Sequence, residues 1–272
     1  MTRHDSCKYL EEVVVIATDA GRRILEVYDR SHDVSHKQDG SPLTEADSLA
    51  HTLIVQRLAG MTPDIPILSE ESAAVDYAER SLWHTFWLVD PLDGTKEFIN
   101  HNGEFTVNIA LIVEGRPQLG VVYVPVTDTT YLACAGLGAF KQVAGQRHVI
   151  HASRYAGGKA TVVASRSHRG DKLEDFLTRL EKREGGYETA SMGSSLKLCL
   201  VAESKADVYP RLGPTSEWDT AAAQCVVEVA GGQVTDLRGK PLIYNKPSVL
   251  NPWFLVSGAG GYDWSGYVEG LE

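Results

Sequence analysis

The sequence is poor in cysteine: four occur in 272 residues, and Cys7, Cys134, Cys199 and Cys225 stand far apart. No CxxC pair is present, which excludes a zinc ribbon or thioredoxin-like redox motif, and the spacing gives no sign of a disulfide framework. A reduced cytoplasmic compartment is therefore the expectation. Long hydrophobic runs are also lacking, and no window reaches the roughly 18 apolar residues that a membrane helix needs. The run Val13-Val14-Val15-Ile16-Ala17 is too short for the core of a signal peptide, and Glu11 and Glu12 precede it where positive charge belongs. Basic residues are in deficit as well. Lys and Arg number 26 against 36 Asp and Glu, a net charge of −10, which argues against a protein that coats a nucleic acid polymer. The same balance argues more weakly against any phosphorylated ligand, because a bound cation can reverse the sign of a site.

What is present is ordinary for a globular chain: 43% hydrophobic and 23% charged residues exclude a disordered or fibrous protein. The length suggests one large domain or two fused halves. Residues 10–29 read as an amphipathic helix, with Val13, Ala17, Ala20, Ile24 and Val27 at spacings of three and four. A second helical pattern follows Pro42 through Ala46, Ala50, Leu53, Ile54 and Leu58, with Gly60 placed to end it. Residues 65–68 and 86–89 read as strands, the latter stopping at Asp90-Pro91. From 104 onward, β-branched runs at 105–114, 118–124 and 130–135 predict antiparallel hairpins. After a polar stretch at 144–160, strands at 161–164, 207–209 and 254–257 are interspersed with helices at 171–183, 194–202 and 217–230. Elements in blocks rather than strict βαβ repeats predict a layered α+β protein.

The chemistry concentrates at Trp87-Leu88-Val89-Asp90-Pro91-Leu92-Asp93-Gly94-Thr95. A strand that ends in one carboxylate and presents another three residues later aims two anions into one volume, where they repel unless a cation or a proton intervenes. A divalent cation meets that need, and Mg²⁺ prefers oxygen ligands with some positions left for water and phosphate. Gly94-Thr95 then opens a helical turn whose free N–H groups favour phosphate. As isolated residues, Asp90 and Asp93 are equally well read as a turn residue and a helix cap. Glu70 and Glu71 follow an apolar strand, and Asp219 starts a helix followed by Thr220-Ala221-Ala222, small residues that permit close approach to another element. Asp47 by itself reads as a residue on the polar face of its helix.

Taken together, T-E-A-D at 44–47, L-S-E-E at 68–71, W-L-V-D-P-L-D-G-T at 87–95 and W-D-T-A-A at 218–222 resemble the inositol monophosphatase superfamily of Mg²⁺-dependent, lithium-sensitive phosphomonoesterases. The segments 93–98, 103–108, 165–168, 193–197 and 206–211 are most similar to its bisphosphate nucleotidase branch. Ser216-Glu217 departs from that pattern, which has Asn and an apolar residue there. The resemblance implies the layered αβαβα sugar-phosphatase fold, one catalytic domain over 1–272 with lobes at about 1–150 and 151–272, the second contributing Asp219. It implies that Glu70, Asp90 and the carbonyl of Leu92 hold one Mg²⁺ and that Asp90, Asp93 and Asp219 hold another, with a third ion near Glu70 and Asp47 allowed. Thr95 and Asp47 would orient and deprotonate water, with Glu70 also in the catalytic set. Leu92, Asp93, Gly94, Thr95, Ser194, Ser195, Lys197 and Asp219 would contact substrate, and Arg166, His168 and Arg211 are further candidates. The implied reaction is hydrolysis of adenosine 3′,5′-bisphosphate to AMP and phosphate by metal-activated water, linked to sulfate assimilation. Inositol monophosphatase activity is the alternative, and a non-catalytic metal- or nucleotide-binding sensor is a remote one. The implied location is cytoplasmic, with peripheral attachment to the inner membrane allowed.

Overall fold

The computed structural model describes residues 6–28, 34–36, 42–72, 74–164 and 170–271. The amphipathic stretch forms helix α1 (Leu10–Tyr28), entered through a 3-10 turn at Cys7–Tyr9. A short hairpin, β1 (Val34–His36) with β2 (Pro42–Thr44), leads into α2 (Glu45–Met61). Gly60 does not end this helix: it sits exposed in the last turn, and the Thr62 N–H still bonds the Leu58 carbonyl at 2.9 Å. An exposed glycine there costs only about 1 kcal/mol of helix propensity.

Next come β3 (Ile67–Ser69), α3 (Tyr77–Arg80), β4 (Thr85–Asp93), α4 (Thr95–Ile99), β5 (Thr106–Val113), β6 (Arg116–Val124), β7 (Thr129–Cys134), β8 (Gly138–Val143) and β9 (Gln146–Val149). Strands β3 to β9 form one seven-stranded sheet in chain order; β3 and β4 are parallel and every later pair is antiparallel. β4 runs past Pro91, where the sequence predicts a stop. Its register with β5 shifts between Asp90 and Asp93, and such an irregularity accommodates a residue without an N–H. β9 falls in the stretch read as polar because all four of its residues are exposed, leaving no apolar alternation to detect.

The second half contains β10 (Ala160–Ala164), α5 (Asp171–Glu184), β11 (Tyr187–Ser191), α6 (Leu196–Ala202), β12 (Val208–Arg211), α7 (Glu217–Val229), β13 (Gln233–Asp236), β14 (Phe254–Ser257) and α8 (Ser265–Val268). Its five strands lie in the order β11-β10-β12-β14-β13, with β10 parallel to both neighbours.

Strand alternation divides the core into layers. Trp87 and Val89 join Ala17, Ile24, Ile54 and Leu58 of α1 and α2, while Phe86 and Leu88 join Leu198, Val201 and Val226 of α6 and α7. The second sheet covers the same α6–α7 layer with Val163, Val234 and Val256. Its alternate residues Val162, Val208 and Leu255 pack with Phe176 and Leu180 of α5 and Tyr267 of α8. The order is helix, sheet, helix, sheet, helix, which is the αβαβα architecture of the α+β class.

One expectation about cysteine is overturned. Cys7 and Cys134 form a disulfide with Cα atoms 5.6 Å apart, and only Cys199 and Cys225 are free. The 127-residue separation hid the pairing, because it arises when the turn before α1 packs beside the end of β7.

Candidate metal and phosphate site

Three chain-distant elements deliver acids to one point. Glu70 follows β3, whose Ser69 pairs with Val89, and its N–H bonds the Val89 carbonyl at 3.1 Å. Asp90 lies one residue further along β4 and is only 1% exposed. Asp219 comes from the first turn of α7, which is seated on the sheet by Gly120: a Cβ there would come within 2.3 Å of the Ala222 carbonyl oxygen. This is the close approach expected of the small residues after Asp219. Ligand oxygens of Glu70, Asp90 and Asp219 all lie within 4.8 Å of one another.

Electrostatics record the crowding. Burial, followed by the charges of Glu70, Asp93, Asp219 and Asp47, raises the Asp90 carboxyl well above its ordinary range. Burial and the charge of Asp93 push Asp219 up to about 7. Asp93 is also raised, chiefly by burial, with the Lys197 charge and the Ser195 N–H opposing. Buried carboxylates that resist ionisation this strongly suit a hard dication offering charge and accepting oxygen ligands. The donor set is all oxygen, so the residues fit such an ion.

Asp93 stands outside the tight triplet but beside it. Its Oδ2 accepts from the Ser195 N–H at 2.5 Å, from the Asn108 amide at 3.4 Å and from the Thr106 hydroxyl at 3.5 Å. Thr106 and Asn108 face Asp93 and Asp90 in the β4–β5 register. Neither was singled out as a site residue from sequence. The available signal was two polar residues in an otherwise apolar strand, both essentially buried. The Ser195 hydroxyl completes the set, donating to Asn108 Oδ1 at 2.9 Å and lying 2.9 Å from Thr106 Oγ1.

The turn after Asp93 forms as its residues predict. Gly94 adopts φ +93°, open to glycine at little cost, and begins α4. The Leu92 N–H bonds Asp90 Oδ1 at 3.1 Å, and the Thr95 hydroxyl donates to the Leu92 carbonyl at 3.5 Å. Asp47 is buried in the first turn of α2, near enough for its charge to bear on Asp90. Asp219 also does what a first-turn acid does by default, accepting the Ser216 N–H at 2.9 Å in a reciprocal capping box.

A cleft of about 180 Å³ opens beside Asp93 and Asp219, lined by Gly94, Ser194, Ser195, Lys197 and Arg211. Tyr209 and Phe254 complete a wall that sequence reading missed. Ser194 holds φ +44°, and its hydroxyl is buried without a hydrogen-bond partner among the described residues. Arg211 Nε is buried in the same condition, while its Nη2 donates to the Pro214 carbonyl at 2.7 Å. Arg166 and His168 lie outside the described residues.

Comparison with known proteins agrees with this geometry. The model of the inositol monophosphatase family matches residues 8–254. The 3′(2′),5′-bisphosphate nucleotidase CysQ of Salmonella typhimurium is 50% identical over 251 residues, covering 91% of this chain and 99% of its own. The crystal structure of CysQ from Bacteroides thetaiotaomicron superposes with a TM-score of 0.79 at 43% identity, covering 90% of this chain and 95% of that one. An IMPase from Thermotoga maritima gives a TM-score of 0.74 at 27% identity, with 91% of each chain covered. With the carboxylates of Glu70, Asp90 and Asp219 meeting at one point and the match running through all of them, the chain belongs to the inositol monophosphatase family.

Proposed function

We propose that this protein is a Mg²⁺-dependent 3′(2′),5′-bisphosphate nucleotidase that converts adenosine 3′,5′-bisphosphate to AMP and phosphate, as its relationship to CysQ suggests. One domain of two lobes, about 1–150 and 151–272, would carry the site. Glu70, Asp90 and the Leu92 carbonyl would hold one Mg²⁺, and Asp90, Asp93 and Asp219 a second; a third ion near Glu70 and Asp47 is allowed but the reaction does not require it. Bound there, the ions would supply positive charge that acidifies the attacking water and steadies the departing ribose oxygen.

The chain's own groups do the rest. The Gly94 and Thr95 N–H groups would hold the 3′-phosphate oxygens at the start of α4. The Thr95 hydroxyl would orient the water, with Asp47 taking its proton, a contribution of about 10²–10⁴-fold. Lys197, Ser194, Ser195 and Arg211 would receive the second phosphate. The observation that carries the nucleotide reading over an inositol monophosphate is this last group. Ser194 Oγ and Arg211 Nε are two buried donors without partners among the described residues, in the cleft adjoining Asp93 and Asp219. Lys197 and Arg211 line the same cleft, and their two charges would pair with a second phosphoryl group that an inositol monophosphate lacks.

A phosphate-release panel tests the reading. Adenosine 3′,5′-bisphosphate should show the higher kcat/KM, with activity that requires Mg²⁺ and falls with lithium. Preference for inositol 1-phosphate would overturn the nucleotide assignment, and Mg²⁺-independent release would overturn the metal assignment. We place the enzyme in the cytoplasm on the family resemblance, where the Cys7–Cys134 pair would be held reduced. Cell fractionation tests that placement and any peripheral membrane attachment.

A further inference from the structure

Glu217, next to Trp218-Asp219 at the start of α7, is wholly buried, with 0% of its side chain exposed. Its carboxylate accepts from the N–H of Asn245 at 2.8 Å, the N–H of Lys246 at 3.0 Å and the Lys246 ammonium at 2.6 Å. The ammonium also donates to the Ile243 carbonyl at 3.0 Å and to Asn251 Oδ1 at 3.3 Å. Asn251 in turn gives its amide hydrogens to the Ser216 carbonyl at 2.8 Å and to Thr220 Oγ1 at 3.0 Å, both at the start of α7. On the other side, Asn245 Nδ2 donates to the Arg80 carbonyl at 2.6 Å, and Arg80 Nη1 donates to Asn245 Oδ1 at 2.9 Å. Arg80, 4% exposed, binds back to the Val75 carbonyl through Nε at 3.2 Å. A continuous chain of largely part-buried hydrogen bonds therefore runs from the turn that carries Asp219 to Arg80 of α3, the helix that lies in the chain between Glu70 and Asp90.

Stability alone gives little reason for this arrangement, since an apolar residue of similar size is often as good as a buried ion pair or better. What an apolar residue lacks is direction. Three carboxylates within 4.8 Å of one another repel, and the segments that carry them separate unless something ties them together. Hydrogen-bonded ion pairs fix both distance and rotation, and α7 needs both fixed for Asp219 to face Glu70 and Asp90.

We propose that Glu217 is a positioning residue: through Lys246, Asn245 and Arg80 it locks the first turn of α7 to α3, the helix between Glu70 and the strand that carries Asp90, so that Asp219, Glu70 and Asp90 stay converged for a divalent cation. This rests on the metal site of the preceding section.

Calorimetric titration of the substrate-free protein with Mg²⁺, alongside thermal melts, tests it. Glu217→Gln keeps one acceptor oxygen but leaves the Lys246 ammonium without its counter-charge, and the Mg²⁺ dissociation constant should rise about tenfold, as for other supporting partners of metal ligands. Lys246→Met cuts the same tie from the other side and should weaken binding similarly; it carries the test if Glu217→Gln does not fold. Glu184→Gln is the control. That carboxylate anchors Tyr155, Tyr262 and Gly158 in the other lobe, so its loss should lower the melting temperature without moving Mg²⁺ affinity. Folded Glu217→Gln and Lys246→Met proteins that bind Mg²⁺ within twofold of the parent would overturn the proposal, as would an equal loss of affinity in Glu184→Gln. A parent protein that binds no Mg²⁺ would instead refute the metal site itself, and this inference with it.

Discussion

Replacing Asp219 with Asn should make the metal-free protein more stable, by an amount that grows with pH. The folded-state pKa of Asp219 is pushed up to about 7 from an ordinary 3.8. The native state therefore holds a proton that the unfolded chain releases at lower pH, so metal-free stability falls as pH rises between those values. The cost is absent well below pH 4, is roughly 2 kcal/mol at pH 5 and reaches roughly 4 kcal/mol above pH 7, at about 1.4 kcal/mol per unit. Asn removes the charge yet keeps an oxygen for the Ser216 N–H, so the helix cap survives. At this chain length 1 kcal/mol corresponds to about 2 °C in Tm. Asp219→Asn in EDTA should therefore melt about 4 °C above the parent at pH 5 and about 8 °C above it at pH 8, by circular dichroism. Adding Mg²⁺ should raise the parent's Tm and reverse the order at pH 8, because the variant has lost a ligand. An advantage of the same size at both pH values would refute the electrostatic reasoning, and a parent Tm indifferent to Mg²⁺ would refute the ligand role.

Thr95→Ala and Asp47→Asn should each lower kcat about 10²–10⁴-fold with little change in KM, and the double variant should be no worse than the poorer single, since the two groups act on one proton. Arg211→Met should raise KM for adenosine 3′,5′-bisphosphate about tenfold while leaving hydrolysis of inositol 1-phosphate unchanged, which steady-state kinetics on both substrates checks. Glu184 is held down to about 2 by hydroxyls of Tyr262 and Tyr267 and the Gly158 N–H. Its stabilisation is complete above about pH 4.5 and lost as pH falls toward 2, so Glu184→Gln should cost about 1–2 kcal/mol at pH 7, after allowance for solvent screening, and little at pH 3. Reducing the Cys7–Cys134 bridge should cost roughly 3 kcal/mol and lower Tm by about 6 °C, measured with and without dithiothreitol.

The helices and the apolar strands were legible because each carries its period. Val13, Ala17 and Ile24 mark α1, and the β-branched runs mark β5 to β7. The triplet of acids was legible only through the family resemblance, since each acid alone is explained by a turn, a cap or a solvated loop. Asp219 shows why: it is a helix cap and a member of the acid cluster at once. Other features escaped because no local pattern encodes them. The disulfide joins residues 127 apart. The reach of β4 through Pro91 depends on a register shift against β5, and Thr106 and Asn108 matter only because that register sets them opposite Asp93 and Asp90. Glu217 read as a departure from pattern, and its partner Lys246 lies 29 positions away.

The charge of −10 can now be weighed against the site. On the proposed ligand set, Glu70, Asp90, Asp93 and Asp219 carry four negative charges, which two dications cancel. The ligand charges are then cancelled, while the charges of Asp47 and Glu97 still bear on Asp90 and Asp93. The same cancellation means that net positive charge at the ions cannot by itself draw in a doubly phosphorylated nucleotide. The attraction left over has to come from the other side of the cleft, where Lys197 and Arg211 are the cations. Lys197 already opposes the rise in the Asp93 pKa, so its charge is felt across the cleft in the direction of the acids. Two phosphates thus meet two kinds of counter-charge, one brought by ions and one built into the chain. Only the second distinguishes a bisphosphate from a monophosphate, which is why loss of Arg211 should separate the two substrates while loss of Asp90 should abolish turnover of both.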